Sequence, residues 1–297
     1  MDYPLYTYPN FKNIGIEDKD TFLGFTAKYP SYSDFNMLSL LSWDFHDVNS
    51  FSILNGNLIL KMKEYLGENY LLSILGDNEI DSTLNILLES TDKLSFVPDT
   101  VVSKIVNKGQ FKVIEDRDNF DYIVNVEKVT THFGAEFEHL RYDLNKFIKN
   151  YPSYEVRTFN TSDQDIINES KLLTSKWVSD KNFDSAKNRE QLGILDNFFK
   201  YSADFDTVLL GLFVDSKLVA YMFHEILDKD TVMSDFSASD SGYLSSAYMM
   251  EYVTAKYFFE KGYKLQNIQQ DTGLSGLRSA KMFYKPEFLK KWVISKA

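Results

Sequence analysis

The densest set of groups able to do chemistry lies between Asn267 and Pro286. A polar strand end carrying Asn267, Gln269, Gln270 and Asp271 runs through a glycine-containing loop into a helix presenting Arg278 and Lys281 three residues apart. Tyr284 follows after three more residues, close to the same face. Two such cations suit the phosphates of a donor. Asp271 or Gln270 can position an acceptor, and a phenol can return a proton to a leaving group. A capped helix with solvated basic residues fits the same spacing.

Two further segments carry weaker signals. The strand Thr231–Ala238 leads into Ser239-Asp240-Ser241-Gly242-Tyr243-Leu244-Ser245-Ser246 and then a helix. Backbone N–H groups around Gly242, Ser245 and Ser246, with the positive end of that helix, suit a pyrophosphate or an oxyanion. Asp240 would repel a phosphate, and an ordinary helix cap also fits. The stretch Gly134–Asn150 places Arg141 and Asn145 one helical turn apart, where they can meet a substrate in a groove or simply face solvent.

The rest of the sequence narrows the chemistry. It contains no cysteine, which excludes disulfides, thiolate metal sites and a cysteine nucleophile. The four histidines, His46, His132, His139 and His224, lack the i, i+4 spacing of a helical zinc site, so no metal is expected. There is no G-x-S-x-G, no P-loop and no G-x-G-x-x-G. The net charge is −11, which argues against DNA as a partner. Residues 278–297 nevertheless carry six Lys and Arg against Glu287 alone, which reads as a site for a phosphorylated ligand or as a solvated tail. The N-terminus lacks a basic and an apolar signal region, and no apolar run approaches the ~18 residues of a membrane span. The expected location is the cytoplasm.

These segments need elements to hold them. Apolar residues at helical steps predict helices over 163–180, with Asp163 as N-cap, over 187–201 and over about 244–261. Strands are expected at 207–214, 218–226, 231–238, 264–270 and near 288–294, with a short helix at 275–284. The first half reads as helices at 18–29 and 33–43, a hairpin 51–54 and 58–62 turned by Asn55-Gly56, and a strand at 70–74. Helices near 79–89 and 98–107, strands at 111–115 and 120–125, a helix at 134–150 and a strand at 154–159 follow. The order helix, helix, three-stranded meander, helix, strand occurs in both halves. It predicts a duplicated α/β (α+β) fold with mixed central sheets flanked by helices, divided as 1–150 and 151–297.

The run Asp271–Pro286 resembles the N-x-x-x-D-x-G-x-x-G-L-R-x-A-K-x-x-Y-x-P signature of the C-terminal domain of phosphatidylglycerol lysyltransferases and their stand-alone relatives. Phe120-Asp121-Tyr122 is similar to that family's F-D-Y strand. Gly134–Phe147 is similar to its G-x-x-F-x-x-x-R-N-x-x-N-x-F helix, with Tyr142 in place of Asn and Glu138 in place of His. Pro30–Phe35 through Trp43 resembles its early F-x-x-L-x-x-W segment. The resemblance implies a tandem GCN5-related N-acetyltransferase-like fold, shared with Fem-type aminoacyltransferases. It implies an acyl- or aminoacyltransferase with no tightly bound cofactor, using aminoacyl-tRNA or acyl-coenzyme A and a lipid or small-molecule hydroxyl or amine. The stretch Ala280–Phe288 resembles the acetyltransferase A-x-x-F-Y pattern, placing Tyr284 where those enzymes keep a general acid. The acetyltransferase phosphate loop Q-x-x-G-x-G/A is not reproduced at 239–246. The other reading is a non-catalytic module that keeps the fold and binds a metabolite or a protein.

Overall fold

The computed structural model describes residues 6–44, 48–63, 70–132, 134–181 and 185–297. His46 and the first five residues lie outside them. The chain forms two compact units that do not follow a cut at residue 150. One comprises Met1–Asp121, Gln270–Ser275 and Phe288–Ala297; the other comprises Tyr122–Gln269 and Gly276–Glu287.

In the first unit, Lys12–Asn13, Ser50–Leu54, Asn57–Lys63 and Tyr70–Leu75 form an antiparallel sheet in that order. Its hairpin turns at Asn55 (φ 50°) and Gly56 (φ 75°), two left-handed residues that suit the two-residue turn expected from Asn-Gly. A second sheet sets the C-terminal strand Lys291–Lys296 between Lys93–Pro98 and Phe111–Glu115. The helix Ile80–Leu87 drives Ile80, Leu84 and Leu87, at i, i+4 and i+7, into a core with Ile59, Ile74 and Ile294. The strand at 93–98 is absent from the sequence expectation. Five of its six residues are buried, so it shows no alternation to read. The helix expected over 98–107 shrinks to Asp99–Val102.

The basic C-terminal end also differs from expectation. Lys291 is fully buried, ion-paired with Asp34 and, at 2.7 Å, with Asp121, while Lys290 pairs with Glu115 at 2.7 Å. The residues between 278 and 297 therefore do not make one solvated basic tail.

The second unit is built on strands in the order Asp121–Asn125, Leu265–Asn267, Thr231–Ser239, Lys217–Ile226, Thr207–Val214 and Glu155–Phe159. All neighbours are antiparallel except Thr231–Ser239 and Leu265–Asn267, which run parallel. Their pairing stops at Met233 and Asn267, although the first of them continues to Ser239. Just past that point Asp235 is an extra residue in the ladder, because Phe223 faces Phe236 and His224 faces Ser234. The strand expected over 264–270 ends at Asn267, since Gln269 adopts φ 58° and leaves the extended conformation. Helices Gln164–Asp180 and Ser246–Glu260 flank this sheet, packing on Lys217–Ile226 and Thr231–Ser239. The helix expected over 134–150 begins with a tight turn, Ala135–Phe137, and runs as Glu138–Asn150. Among the described residues no helix is long and apolar enough to cross a membrane.

Candidate functional site

Near the point where the two parallel strands of the second unit stop pairing, a group of ionisable side chains gathers. Gln266, in the last paired stretch, donates from Nε2 to Ser234 Oγ (2.9 Å) and to Glu251 Oε2 (3.3 Å). Glu251 lies in the second turn of the helix Ser246–Glu260, three residues after Tyr248, so both share a face. Both keep part of their surface exposed. Burial pushes the Glu251 carboxyl up to about 7, against the opposing pull of Lys281 and of the hydrogen bond from Gln266. Tyr284, buried at 5 % exposure, has its phenol raised well above its ordinary value. Burial is the main cause, and Glu251, Tyr248 and Asp143 add to it. Asp143 Oδ1 in turn accepts from Ser245 Oγ at 2.7 Å.

Lys281 reaches this group differently from expectation. Its ammonium donates to the carbonyls of Ile268 (2.5 Å) and Gln269 (3.2 Å) and stands 5.7 Å over the ring of Tyr122. The left-handed turn at Gln269 places those carbonyls; Asn267 Oδ1 supports it by accepting from the Gln269 N–H at 2.7 Å. Lys281 is thus a charge fixed at the end of the strand, acting on Glu251, rather than a free head for a phosphate. Arg278 lies half-buried one turn earlier on the same helix. Gln269 Nε2 approaches Asp235 Oδ1 at 3.4 Å.

The loop at 239–246 also does something other than expected. Asp240, nearly fully buried, accepts from the Gly242 N–H (2.9 Å), Lys176 (2.7 Å) and Lys217 (3.3 Å). Leu244 N–H donates to Tyr151 Oη, and the N–H groups of Tyr243 and Ser246 go to loop carbonyls. Ser246 Oγ donates to the Asp240 carbonyl. Of the amides proposed for a donor's pyrophosphate, those of Gly242 and Ser246 are therefore engaged by the protein's own acceptors. Ser245, left-handed at φ 62°, turns its hydroxyl to Asp143.

Of the other expected residues, Arg141, Asp271 and Gln270 have partners of their own. Arg141 donates from Nη1 to the carbonyls of His132 and Gly134, both at 2.7 Å, tying the end of the helix Val126–Thr131 to the start of Glu138–Asn150. Asn145 is exposed. Asp271 and Gln270 belong to the first unit. Asp271, fully buried, accepts from the Gly273 N–H (2.8 Å) and from Arg117 (3.4 Å). Gln270 Oε1 lies 2.7 Å from Ser33 Oγ. Of the residues named from sequence, the structure brings together Lys281, Tyr284, Asn267, Gln269 and Ser245. Asp143, Tyr248 and Glu251 were missed; their signal was the one-turn spacing of Tyr248 and Glu251 just inside the helix. Among the described residues no cluster of three or more His, Cys, Asp or Glu side chains has the arrangement of a metal site.

Comparison with known proteins now places the chain. Residues 27–295 match the family described as phosphatidylglycerol lysyltransferase, C-terminal. No curated protein sequence matches it significantly. A conserved protein of unknown function from Bacteroides thetaiotaomicron is similar over 97 % of this chain and 99 % of its own, at 25 % identity and TM-score 0.80. The C-terminal domain of a protein named as a lysylphosphatidylglycerol synthetase from Agrobacterium fabrum covers 94 % of this chain and 91 % of its own, at 12 % identity and TM-score 0.65. The L-PGS of Bacillus licheniformis covers 99 % and 94 %, at 16 % identity and TM-score 0.59. These likenesses fit the expected fold class, mixed α/β with sheets flanked by helices. In the broad sense, family and fold put the protein among the acyl- and aminoacyltransferases. The chain belongs to the phosphatidylglycerol lysyltransferase C-terminal family.

Proposed function

We propose that the second unit transfers an aminoacyl group from an activated ester, such as aminoacyl-tRNA, to a hydroxyl of a lipid acceptor. The observation that carries this reading is the half-open cluster of Asp143, Tyr248, Glu251, Lys281 and Tyr284 beside the point where the parallel strands stop pairing. Its balance is acidic. An aminoacyl donor brings an ammonium group to the reacting carbonyl, and Asp143 offers it a carboxylate. An acyl-coenzyme A brings phosphates, for which the amides of Gly242, Tyr243, Leu244 and Ser246 are already engaged. The Lys281 ammonium favours the negative charge that develops on the carbonyl oxygen. One such donor is worth about 3 kcal/mol in the transition state. Tyr284, held protonated, is the acid for the departing hydroxyl.

The test is transfer of radiolabel from tRNA charged with lysine, alanine or arginine to phosphatidylglycerol in vesicles, beside a parallel reaction with labelled acetyl-coenzyme A. Label in the lipid from a charged tRNA supports the reading. Transfer from acetyl-coenzyme A alone overturns the donor. No transfer from either, with a rise in melting temperature on adding one of them, favours the non-catalytic module.

A further inference from the structure

We infer that Glu251 takes the proton from the attacking hydroxyl, and that Lys281 is the positioning residue that keeps it ready to do so. This rests on the transfer reading given above. Three observations converge on this carboxyl. It stands on a rigid helix, one turn from Tyr248, and is only half-buried. Its Oε2 is held from one side by Gln266, whose amide also binds Ser234, the residue before the extra Asp235 of the ladder. Lys281 acts on it as a fixed charge, tethered to the carbonyls of Ile268 and Gln269.

Two other acids of this unit lie close by and neither serves as well. Asp143 has one carboxylate oxygen taken by Ser245. Asp235 is nearly fully buried, with Gln269 close to it. The groups that face Glu251 are Lys281, Tyr284 and Gln266, with Tyr248 one turn before it on the same helix and Asp143 near Tyr284. With its carboxyl raised to about 7 by burial, Glu251 is a stronger base than an exposed glutamate and still accepts a proton near neutrality.

The proton and bond balance closes on these residues. The acceptor O–H proton passes to a Glu251 oxygen as the acceptor oxygen bonds to the ester carbonyl carbon. The tetrahedral adduct collapses with cleavage of the carbon–oxygen bond to the donor, whose oxygen takes the Tyr284 phenol proton. Glu251 then returns its proton to the Tyr284 oxygen. The acceptor has lost one proton, the donor hydroxyl has gained one, and both side chains end as they began.

The experiment pairs a titration that needs no substrate with a rate profile. In protein carrying 13C-carboxyl glutamate, one resonance should titrate near pH 7, vanish in Glu251→Gln and move to higher pH in Lys281→Met. With charged tRNA and phosphatidylglycerol vesicles, wild-type turnover should rise through that same pH. Glu251→Gln should lose at least a hundredfold, lose the pH dependence and keep a cooperative melt. A resonance titrating near the ordinary 4.5 overturns the role of Glu251. So does a Glu251→Gln variant within tenfold of wild type with an unchanged pH profile. Wild-type protein inactive with every charged tRNA overturns the transfer reading instead, and the titration still reports on the carboxyl.

Discussion

Each unit holds a lysine among carboxylates, and the two arrangements have opposite character. In the first unit Lys291 is fully buried between Asp34 and Asp121, both also buried. Ser33 N–H donates to Asp121 Oδ2 at 2.7 Å, and Ser33 Oγ lies 2.6 Å from Asp121 Oδ1. Burial pulls the Lys291 ammonium down, but Asp121 and Asp34 outweigh it and the net shift is upward, so the charge is kept. In the second unit Lys281 is half-exposed, its head is on backbone carbonyls, and its neighbour Glu251 is raised rather than fully ionised. A closed cluster with its partners made is a fastener. An open cluster with one acid poised between its two forms can exchange a proton. Similar residue types thus do structural or chemical work according to access to water.

The strongest way to break this contrast is to remove each lysine. Lys291→Met leaves two buried carboxylates facing each other without their cation and should cost about 3–5 kcal/mol. The sheet that holds Lys291–Lys296 between its two neighbours should weaken with it. Lys281→Met removes a half-exposed ammonium and should cost about 1 kcal/mol. Urea denaturation of the two variants measures both, and equal losses would erase the distinction between the clusters.

His224 gives a second test, as a sealed group with no ion partner among the described residues. It is fully buried, 4.9 Å from the ring of Phe258, and burial lowers its imidazole to about 3. The unfolded chain takes up the proton at 6.5 and the folded one does not, so stability is lost as pH falls from 6.5 toward 3. At pH 4 the loss from this residue is on the order of 3 kcal/mol. His224→Phe should remove that part of the acid sensitivity. A difference between wild type and variant that stays constant from pH 7 to pH 4 would mean that the histidine charges in the folded state.

Glu251 carries the opposite sign. Its folded value lies above its ordinary 4.5, so the folded state holds the proton more tightly. Stability from this group falls as pH rises from 4.5 through 7. Over pH 5–8 the loss is on the order of 2 kcal/mol, reduced from the full shift because the side chain is partly exposed. Glu251→Gln should therefore flatten the profile and be more stable than wild type at pH 8. Thermal melts across that range check it.

Much of the fold was readable from periodicity and turn chemistry, and the sealed cluster was not. Asn55-Gly56 marks its hairpin because two left-handed residues are needed there. Asp163 does cap its helix, accepting from the Asp165 N–H. The segment 33–43 reads as one helix, yet Asn36 stops a first turn, Ser33–Phe35, and caps a second helix, Met37–Ser42, through the Ser39 N–H. Lys291 stands in a Lys-Lys pair that looks solvated, and its counter-ions are at positions 34 and 121; no local pattern announces such distant partners. The open site was half legible. Lys281 and Tyr284 were visible as a basic helix with a phenol, but Glu251 looks like any acid inside a helix until Gln266 and Lys281 are seen beside it.

The smallest expected effect sharpens the comparison, because it concerns a pair between the two extremes. Arg117, with about a third of its side chain exposed, lies 3.4 Å from the fully buried Asp271. Its guanidinium also stands 4.6 Å over the ring of Phe288 and 5.5 Å over that of Phe120. Asp271 keeps the hydrogen bond from the Gly273 N–H when Arg117 is gone, so its charge is not abandoned. Arg117→Met should therefore cost about 1 kcal/mol, far less than Lys291→Met. Salt screens the exposed part of the ion pair, while stacking on the two rings persists, so 1 M NaCl should shrink the difference without abolishing it. Arg117→Lys should recover less than half, because an ammonium lacks the flat face that meets the rings. If Arg117→Met instead costs as much as Lys291→Met, partial exposure does not separate fastener from surface pair in this protein. Access to water would then fail as the variable that divides its two lysine clusters.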